Sequence, residues 1–240
     1  LTESTMKGRK FMRRKVEEYL RSTGRLNISM LEVDLDFCRG FINFLRTAKN
    51  KRLKNEERTI SNCTGLQTQA VLTAALNTAL RDGIIERNPM TLLTSKERFH
   101  QQESQRVYLT IDELKRMMAT PCDDGELKKA FLFACFTGLR LSDIRTFTWN
   151  KVLTTPNDST RYIRVRMLKT QQVVNVPLSK DALGYLREME DGDEPIFRLS
   201  SAASVIEQRL AEWAKKAGIE KHVTFHVSRH SYATMMLTIG

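Results

Sequence analysis

Three separate segments in the second half of this chain carry positively charged side chains beside structural breaks. Arg140 follows a glycine in Thr-Gly-Leu-Arg-Leu-Ser-Asp-Ile, Lys169 lies between two runs of alternating apolar residues, and His226, Arg229 and His230 recur at steps of three and four. That recurrence places the last three on one side of a helix. Guanidinium groups pair with phosphate oxygens and stay charged at any working pH. Each segment taken alone also fits a simpler interpretation, as a surface charge, a turn lysine or a polar helix face.

A metal site is a second interpretation of the histidines. His222, His226 and His230 recur every four residues, which could bring imidazoles onto one helical face. Thr224, however, is a helix start signal and would leave His222 outside the helix. The four cysteines show no CxxC pair and no zinc spacing, so they are interpreted as buried or incidental thiols. We therefore expect no metal.

Taken together, the three segments resemble the tyrosine recombinase (phage integrase) family. The motifs are Thr-Gly-Leu-Arg-Leu-Ser-Asp-Ile, a lysine on a β-hairpin that ends in Val-Pro-Leu-Ser, and His-x-x-Arg-His-Ser-Tyr-Ala-Thr. Upstream, Thr-Ile-Ser-Asn from residue 59 and Asp-Gly-Ile-Ile-Glu-Arg-Asn-Pro from residue 82 are similar to the helical core-binding domain of that family. The resemblance covers nearly the whole chain and implies a site-specific DNA recombinase of a mobile element.

The resemblance also implies a reaction and a role for each group. Family members cleave and rejoin DNA strands through a 3′-phosphotyrosyl intermediate, which conserves bond energy and needs neither ATP nor a metal cofactor. Arg140 and Arg229 match the arginines that neutralise the scissile phosphate, and Lys169 matches the lysine that protonates the leaving 5′-oxygen. His226 matches the residue that hydrogen-bonds the phosphate or handles the proton of the nucleophile.

Two further residues are expected to support this site. Asp143 is interpreted as a group that steadies Arg140, with a helix-capping or solvated carboxylate as the alternative. His230 is interpreted as supporting, with a core histidine as the alternative.

The nucleophilic tyrosine is expected beyond Gly240, together with a Leu-Gly-His motif that precedes it. Tyr232 occupies a position that is an aromatic packing residue in the matching motif, so it is a poor substitute. The sequence therefore indicates a truncated chain that binds DNA without cleaving it.

The charge of the chain agrees with a polyanionic partner. There are 39 Lys and Arg residues against 28 Asp and Glu residues, a formal balance of 39 − 28 = +11. The resemblance implies double-stranded DNA with a specific recombination site and a homo-tetramer in the synaptic complex. Candidates for contacts with the DNA backbone lie near the N-terminus, where a solvated basic face is the alternative; they are Lys7, Arg9, Lys10, Arg13 and Arg14.

The longest apolar run, Ala130 to Phe136, is too short for a membrane span. A cytoplasmic, nucleoid-associated location fits best.

Two other functions remain open. Type IB topoisomerases use a related set of groups for cleavage and religation by one protomer, and a DNA-binding regulator would need no chemistry. The match to the core-binding domain and the hairpin that ends in Val-Pro-Leu favour the recombinase.

The positions of these groups depend on a mainly α fold. We expect a helical core DNA-binding domain over residues 1–94, a polar linker over 95–106, and a catalytic domain over 107–240, incomplete at its C-terminus. That domain is expected to be mostly helical with a small antiparallel β-sheet. Alternation of side chains between two faces predicts a hairpin of strands 161–167 and 173–177. Ser142 is a candidate helix cap, and Thr110-Ile-Asp-Glu113 is a capping box that opens a helix. Apolar periodicity predicts helices over about 6–20, 31–47, from Thr59 or Ser61 to 81, 110–118, 126–136, 180–189, 200–217 and from 224 onward.

Overall fold

The computed structural model describes residues 3–49, 59–102, 106–157, 159–186 and 193–239. The chain divides into two compact units, Leu1–Ser104 and Gln105–Gly240. As the sequence predicts, the fold is mostly helical with one small antiparallel sheet. No helix in the described part of the chain combines the length and the apolar character needed to cross a membrane.

The first unit packs three long helices around an aromatic core. They are α1 (Glu3–Ser22), α2 (Leu35–Thr47) and α3 (Asn62–Arg81), with 3-10 turns at Met30–Glu32 and Pro89–Leu92. Phe37, Phe41 and Leu45 of α2 are fully buried, and Tyr19 of α1 meets the Phe37 ring edge to face at 5.2 Å between ring centroids. Apolar residues at steps of three and four on α2 therefore form the face that joins the other helices.

The predicted start of the second helix was wrong by one turn. Ser29 and Glu32 form a capping box around the 3-10 turn, and Asp34 then caps α2 by accepting a hydrogen bond from the backbone N–H of Phe37 at 2.7 Å. Leu31, which the periodicity assigned to the helix, is exposed.

Residues of the predicted polar linker contact the first unit. The Arg39 guanidinium of α2 donates to the Glu97 carboxylate at 2.7 Å, and the Arg46 side chain donates to the backbone carbonyls of Lys96 and Glu97 at 3.1 Å. The Asn62 side chain donates to the backbone carbonyl of His100 at 2.7 Å. The segment from 96 to 100 thus packs on α2 and α3, and the two units divide after it.

The second unit is built around one helix whose apolar second half is buried. Its helices are α4 (Ile111–Ala119), α5 (Gly125–Thr137), α6 (Leu141–Arg145), α7 (Lys180–Gly184), α8 (Ala203–Lys216) and α9 (Phe225–Ile239). Consecutive residues from Ala130 to Cys135 of α5 are shielded from solvent, because α9 packs along the helix while α6 and α7 cover other sides. An uninterrupted apolar run suits a helix that is covered on all sides.

A three-stranded antiparallel sheet flanks this core in the order β1 (Val152–Thr154), β2 (Arg161–Arg166) and β3 (Val173–Pro177). The predicted hairpin is present, with Ile163 opposite Val176 and Val165 opposite Val174. Gln171 in the connecting turn has a left-handed backbone with φ of 59°. β1 was not predicted, because three residues are too few to show alternation.

Two smaller expectations differ from the structure. Ser142 does not cap a helix: the cap position of α6 is Arg140, which makes no side-chain capping bond. α7 ends at Gly184, short of the predicted helix over 180–189, and residues 187–189 lie outside the described part of the chain.

Candidate active site

The end of α5 and the middle of α9 meet at Gly138. This glycine has φ of 66°, a left-handed conformation that ends α5. A Cβ placed there would lie 2.5 Å from Cδ1 of Tyr232, so only glycine lets the tyrosine ring approach. Nη1 of Arg229, one turn earlier on α9, donates to the Gly138 carbonyl at 2.6 Å. The glycine thus fixes both side chains against the start of α6.

Arg140 follows immediately at the N-terminal end of α6. Its backbone is extended, with φ of −80° and ψ of 157°, and its side chain is half-buried. Within the described ranges, the side chain of Arg140 makes no hydrogen bond or ion pair, while its backbone carbonyl accepts from the backbone N–H groups of Asp143 and Ile144 at 2.9 Å. Its guanidinium N–H groups are therefore free to bind a ligand.

Lys169 lies in the turn between β2 and β3, and Asp143 attaches that turn to α6. The Asp143 carboxylate is almost completely buried, and Oδ1 accepts a hydrogen bond from the backbone N–H of Leu168 at 3.0 Å. Among the described residues, Oδ2 has no hydrogen-bond partner. Since Leu168 directly precedes Lys169, the aspartate ties the lysine turn to the helix that begins after Arg140.

We expect Asp143→Ala to lower the free energy of unfolding of the second unit by about 1–3 kcal/mol, because the Leu168 N–H loses its acceptor. Asp143→Asn keeps an oxygen at the same place and should lose less than half as much. Both tryptophans, Trp149 and Trp213, belong to this unit, so urea unfolding followed by tryptophan fluorescence reports on it. Equal losses in both variants would show that the charge of Asp143 matters rather than this hydrogen bond.

Four of the sequence-predicted residues line one cleft of about 270 Å³. They come from three distant segments: the start of α6, the β2–β3 turn and the first turns of α9. The remaining lining residues are mainly apolar or small, apart from one carboxylate. The predicted four are Arg140, Lys169, His226 and Arg229. The structure therefore brings two guanidinium groups, an ammonium group and an imidazole to one concave surface.

The two histidines of α9 lie beside this group of cations. The rings of His226 and His230 meet edge to face at 4.6 Å between centroids. Desolvation lowers the pKa of His226, and the positive charges of His230, Arg229, Arg140 and Lys169 lower it further. Desolvation, Arg106 and Arg229 lower the pKa of His230. Both imidazoles thus stay neutral to lower pH than a free histidine.

The pKa of Arg229 is subject to opposing influences. Desolvation and the neighbouring Arg140 lower the pKa of its guanidinium, and the buried Asp143 raises it. The net direction is downward, but an arginine has so high an intrinsic pKa that the group stays charged. The cleft therefore holds three cationic side chains against one lining carboxylate, with the buried Asp143 nearby, and this excess of positive charge favours an anionic ligand.

Sequence reasoning missed Glu207 of α8. Its carboxylate accepts from the backbone N–H of Phe225, at 3.2 Å to Oε2, and it lines the same cleft. It therefore satisfies one of the free N–H groups at the start of α9, the helix that carries His226 and Arg229. The glutamate is 18 positions before Phe225, so local capping patterns could not reveal it.

The basic residues proposed near the N-terminus all lie in α1. Arg9 and Lys10 are exposed. Arg13 pairs with Glu17 at 2.8 Å, and Arg14 approaches Glu18 at 3.9 Å. The side chain of Lys7 lies outside what the structure describes. Part of this basic face is thus compensated by acidic residues one turn along the helix.

His222 lies before α9 and is exposed, as Thr224 predicted. Among the residues that the structure describes, no group of three or more His, Cys, Asp or Glu side chains is arranged to hold a metal ion.

Comparisons with known proteins cover both units of the chain. Residues 107–240 match the phage integrase family, and residues 1–99 match the phage integrase SAM-like domain. A tyrosine recombinase of Thermosipho africanus is 28% identical over 168 residues, which cover 66% of this chain and 56% of that protein. Tyrosine recombinase XerC of Yersinia pestis is 27% identical over 183 residues, covering 70% of this chain and 57% of that protein. The chain thus spans little more than half the length of these relatives.

Solved structures show the same fold. A lambda integrase dimer bound to a COC′ core site superposes with a TM-score of 0.71 at 19% identity, covering 100% of this chain and 81% of that one. A lambda integrase tetramer bound to a Holliday junction gives a TM-score of 0.62 at 19% identity, covering 98% of this chain and 67% of that one.

Proposed function

We propose that this chain, which belongs to the phage integrase family of tyrosine recombinases, binds duplex DNA and holds a scissile phosphate for site-specific strand exchange. The observation that carries this proposal is the cleft in which Arg140, Lys169, His226 and Arg229 meet. Cleavage and rejoining proceed through a 3′-phosphotyrosyl intermediate. The exchange conserves phosphodiester bonds, so the reaction requires no ATP, metal or other cofactor.

The two arginines bind the non-bridging oxygens of the phosphate. Arg140 offers its whole guanidinium, while Arg229 donates one N–H to the Gly138 carbonyl and keeps its others for the ligand. Charge-assisted bonds from two guanidinium groups compensate the charge that the phosphate oxygens carry in the transition state. The carbonyl of Gly138 orients Arg229 toward the side where Arg140 lies.

Lys169 donates a proton to the 5′-oxygen as the bond between that oxygen and phosphorus breaks. Its place on an exposed turn lets the ammonium reach over the phosphate, and Asp143 anchors the turn through Leu168. His226, whose pKa is lowered by desolvation and by its cationic neighbours, hydrogen-bonds the phosphate or accepts the proton of the attacking tyrosine. His230 supports the ring of His226 by direct contact.

We assign the nucleophile to a tyrosine outside residues 1–240, so this chain binds DNA without cleaving it. Tyr19 is buried in the first unit, and Tyr185 stacks on Phe136 at 6.0 Å. Tyr232 borders a cavity that Arg140 and Arg229 also line, but its ring packs against Gly138. Tyr108 and Tyr162 line neither that cavity nor the cleft that Lys169 lines.

Tyr232→Phe should leave DNA affinity unchanged and alter the free energy of unfolding by no more than about 0.5 kcal/mol, since the hydroxyl has no partner among the described residues. Tyr232→Ala should destabilise the second unit, because the ring fills the space beside Gly138. Incubation with nicked duplexes, followed by denaturing electrophoresis, tests for a covalent protein–DNA adduct. A wild-type adduct that Tyr232→Phe abolishes would make Tyr232 the nucleophile.

The DNA partner is a duplex with a specific recombination site, and four protomers form the synaptic complex. The lambda integrase tetramer on a Holliday junction supports this assembly. Arg9, Lys10 and neighbouring basic residues of α1 contact the DNA backbone. This function implies a cytoplasmic, nucleoid-associated protein.

Two alternatives are distinguished by activity. A type IB topoisomerase would relax supercoiled DNA without joining two sites, whereas a recombinase exchanges strands between two sites. A DNA-binding regulator would do neither. Assays of two-site recombination and of supercoil relaxation, on a form of the protein that carries the proposed nucleophile, separate the three.

A further inference from the structure

The outward face of the three-stranded sheet carries a pair of arginines. Ile163 and Val165 of β2 point into the core and are buried, so the intervening residues face the other side of the sheet. Arg164 and Arg166 are exposed on that outward face. Neither guanidinium makes a hydrogen bond or an ion pair within the described ranges.

The cross-strand neighbours of this pair carry no negative charge. Arg164 lies opposite Asn175 of β3, and Arg166 lies opposite Val173, which is 49% exposed. On the same face, Tyr162 lies between Leu153 of β1 and Pro177 of β3. The paired strands therefore present two cations, one amide and apolar groups, and no carboxylate.

Several basic residues elsewhere in the second unit are compensated. The side chain of Arg209 contacts Asp124 at 2.6 Å, Lys216 contacts Asp123 at 2.6 Å, and Lys221 contacts Glu113 at 2.6 Å. An exposed cation usually gains little from such a pair, but its positive potential is partly cancelled. The sheet arginines keep their full potential and are available to an anionic partner.

The position of the pair points to the same partner as the cleft. Arg166 is three residues before Lys169, at the end of the sheet that reaches the cleft. Two residues along a strand span about 6.6 Å, and successive nucleotides of one DNA strand rise by about 3.4 Å. The spacing of the two arginines thus corresponds to about two nucleotide steps, so a DNA strand that continues from the cleft across the sheet meets the two guanidinium groups at phosphates about two nucleotides apart.

We propose that the outward face of the sheet, centred on Arg164 and Arg166, is a second contact surface for the DNA backbone. The inference rests on the proposed function, because it assumes that the cleft binds DNA. The two arginines bind phosphates that flank the scissile one, and they do so without reading base sequence. Each contact releases condensed counterions, which makes its contribution dependent on salt.

The test is the salt dependence of binding to a fluorescently labelled duplex of mixed sequence. For Arg164→Gln/Arg166→Gln, the slope of log affinity against log salt between about 50 and 200 mM should fall by about 1.8. The matched control is Lys115→Gln/Lys215→Gln, which removes the same charge from exposed positions of α4 and α8. Its slope should stay close to that of the wild type, and the melting temperatures of both variants should be unchanged.

The outcomes separate this inference from the proposed function. An unchanged slope in the sheet variant, with salt-dependent wild-type binding, overturns the sheet surface and leaves the cleft proposal standing. Equal reductions in both double variants also overturn it, since net charge alone would then explain the effect. Wild-type protein that shows no salt-dependent DNA binding would contradict the proposed function itself.

Discussion

Replacing Arg140 with glutamine is expected to slow DNA strand cleavage on the order of a thousandfold, the loss typical for an arginine that stabilises phosphoryl transfer. Glutamine can donate hydrogen bonds but supplies no charge to the phosphate oxygens. The rate is measured as single-turnover formation of the covalent protein–DNA adduct, in a form of the protein that carries the proposed nucleophile.

The same substitution should leave the fold intact, which makes Arg140 a cleaner test than Arg229. Arg140 makes no side-chain capping bond, and within the described structure its guanidinium has no partner whose loss would matter. Arg229, by contrast, donates to the Gly138 carbonyl, so its removal affects packing as well as chemistry. An Arg140→Gln variant that melts like the wild type and cleaves at nearly the wild-type rate would exclude Arg140 from the reaction.

Lys169→Ala should slow cleavage by about 10²–10⁴-fold, the usual contribution of a positioned general acid. The side chain is exposed on its turn, so stability should change little. A second variant, Lys169→Arg, separates the effect of the positive charge from that of proton donation. It keeps the positive charge, but a guanidinium does not give up a proton at working pH, so it should be nearly as slow as alanine.

A substrate with sulfur in place of the bridging 5′-oxygen isolates the proton transfer. A thiol has a pKa of about 8.5 and leaves as a thiolate without protonation. Both Lys169 variants should therefore cleave the sulfur substrate at close to the wild-type rate. Equal slowing on both substrates would show that Lys169 binds or orients DNA and is not the acid.

Local sequence signals predicted the elements that carry their own start and stop residues. Ser61 begins α3, and the capping box of Thr110 and Glu113 begins α4. Gly138 ends α5 in the left-handed conformation that the Thr-Gly break indicates. These features depend on residues within one turn of each other, so they can be read from the sequence.

Features that depend on distant contacts escaped prediction. Glu207 reaches the start of α9 from another helix, and Asp143 reaches the β2–β3 turn across 25 residues. β1 forms because β2 offers it a partner, and its three residues are too short a run to show alternation in the sequence. Family resemblance marked Arg140 and Lys169 as candidate site residues. That they meet in one cleft depends on how the whole second unit packs, which the sequence does not show.

The central claim is that Arg140 compensates the charge of the scissile phosphate, and a neutral phosphate tests it most directly. A methylphosphonate at the scissile position replaces one charged oxygen with a methyl group and so removes the charge that the arginine faces. Single-turnover cleavage of this substrate should be about as fast with Arg140→Gln as with the wild type, so the roughly thousandfold difference on ordinary DNA disappears. If the variant stays a thousandfold slower on the neutral substrate, Arg140 does not act by neutralising that phosphate.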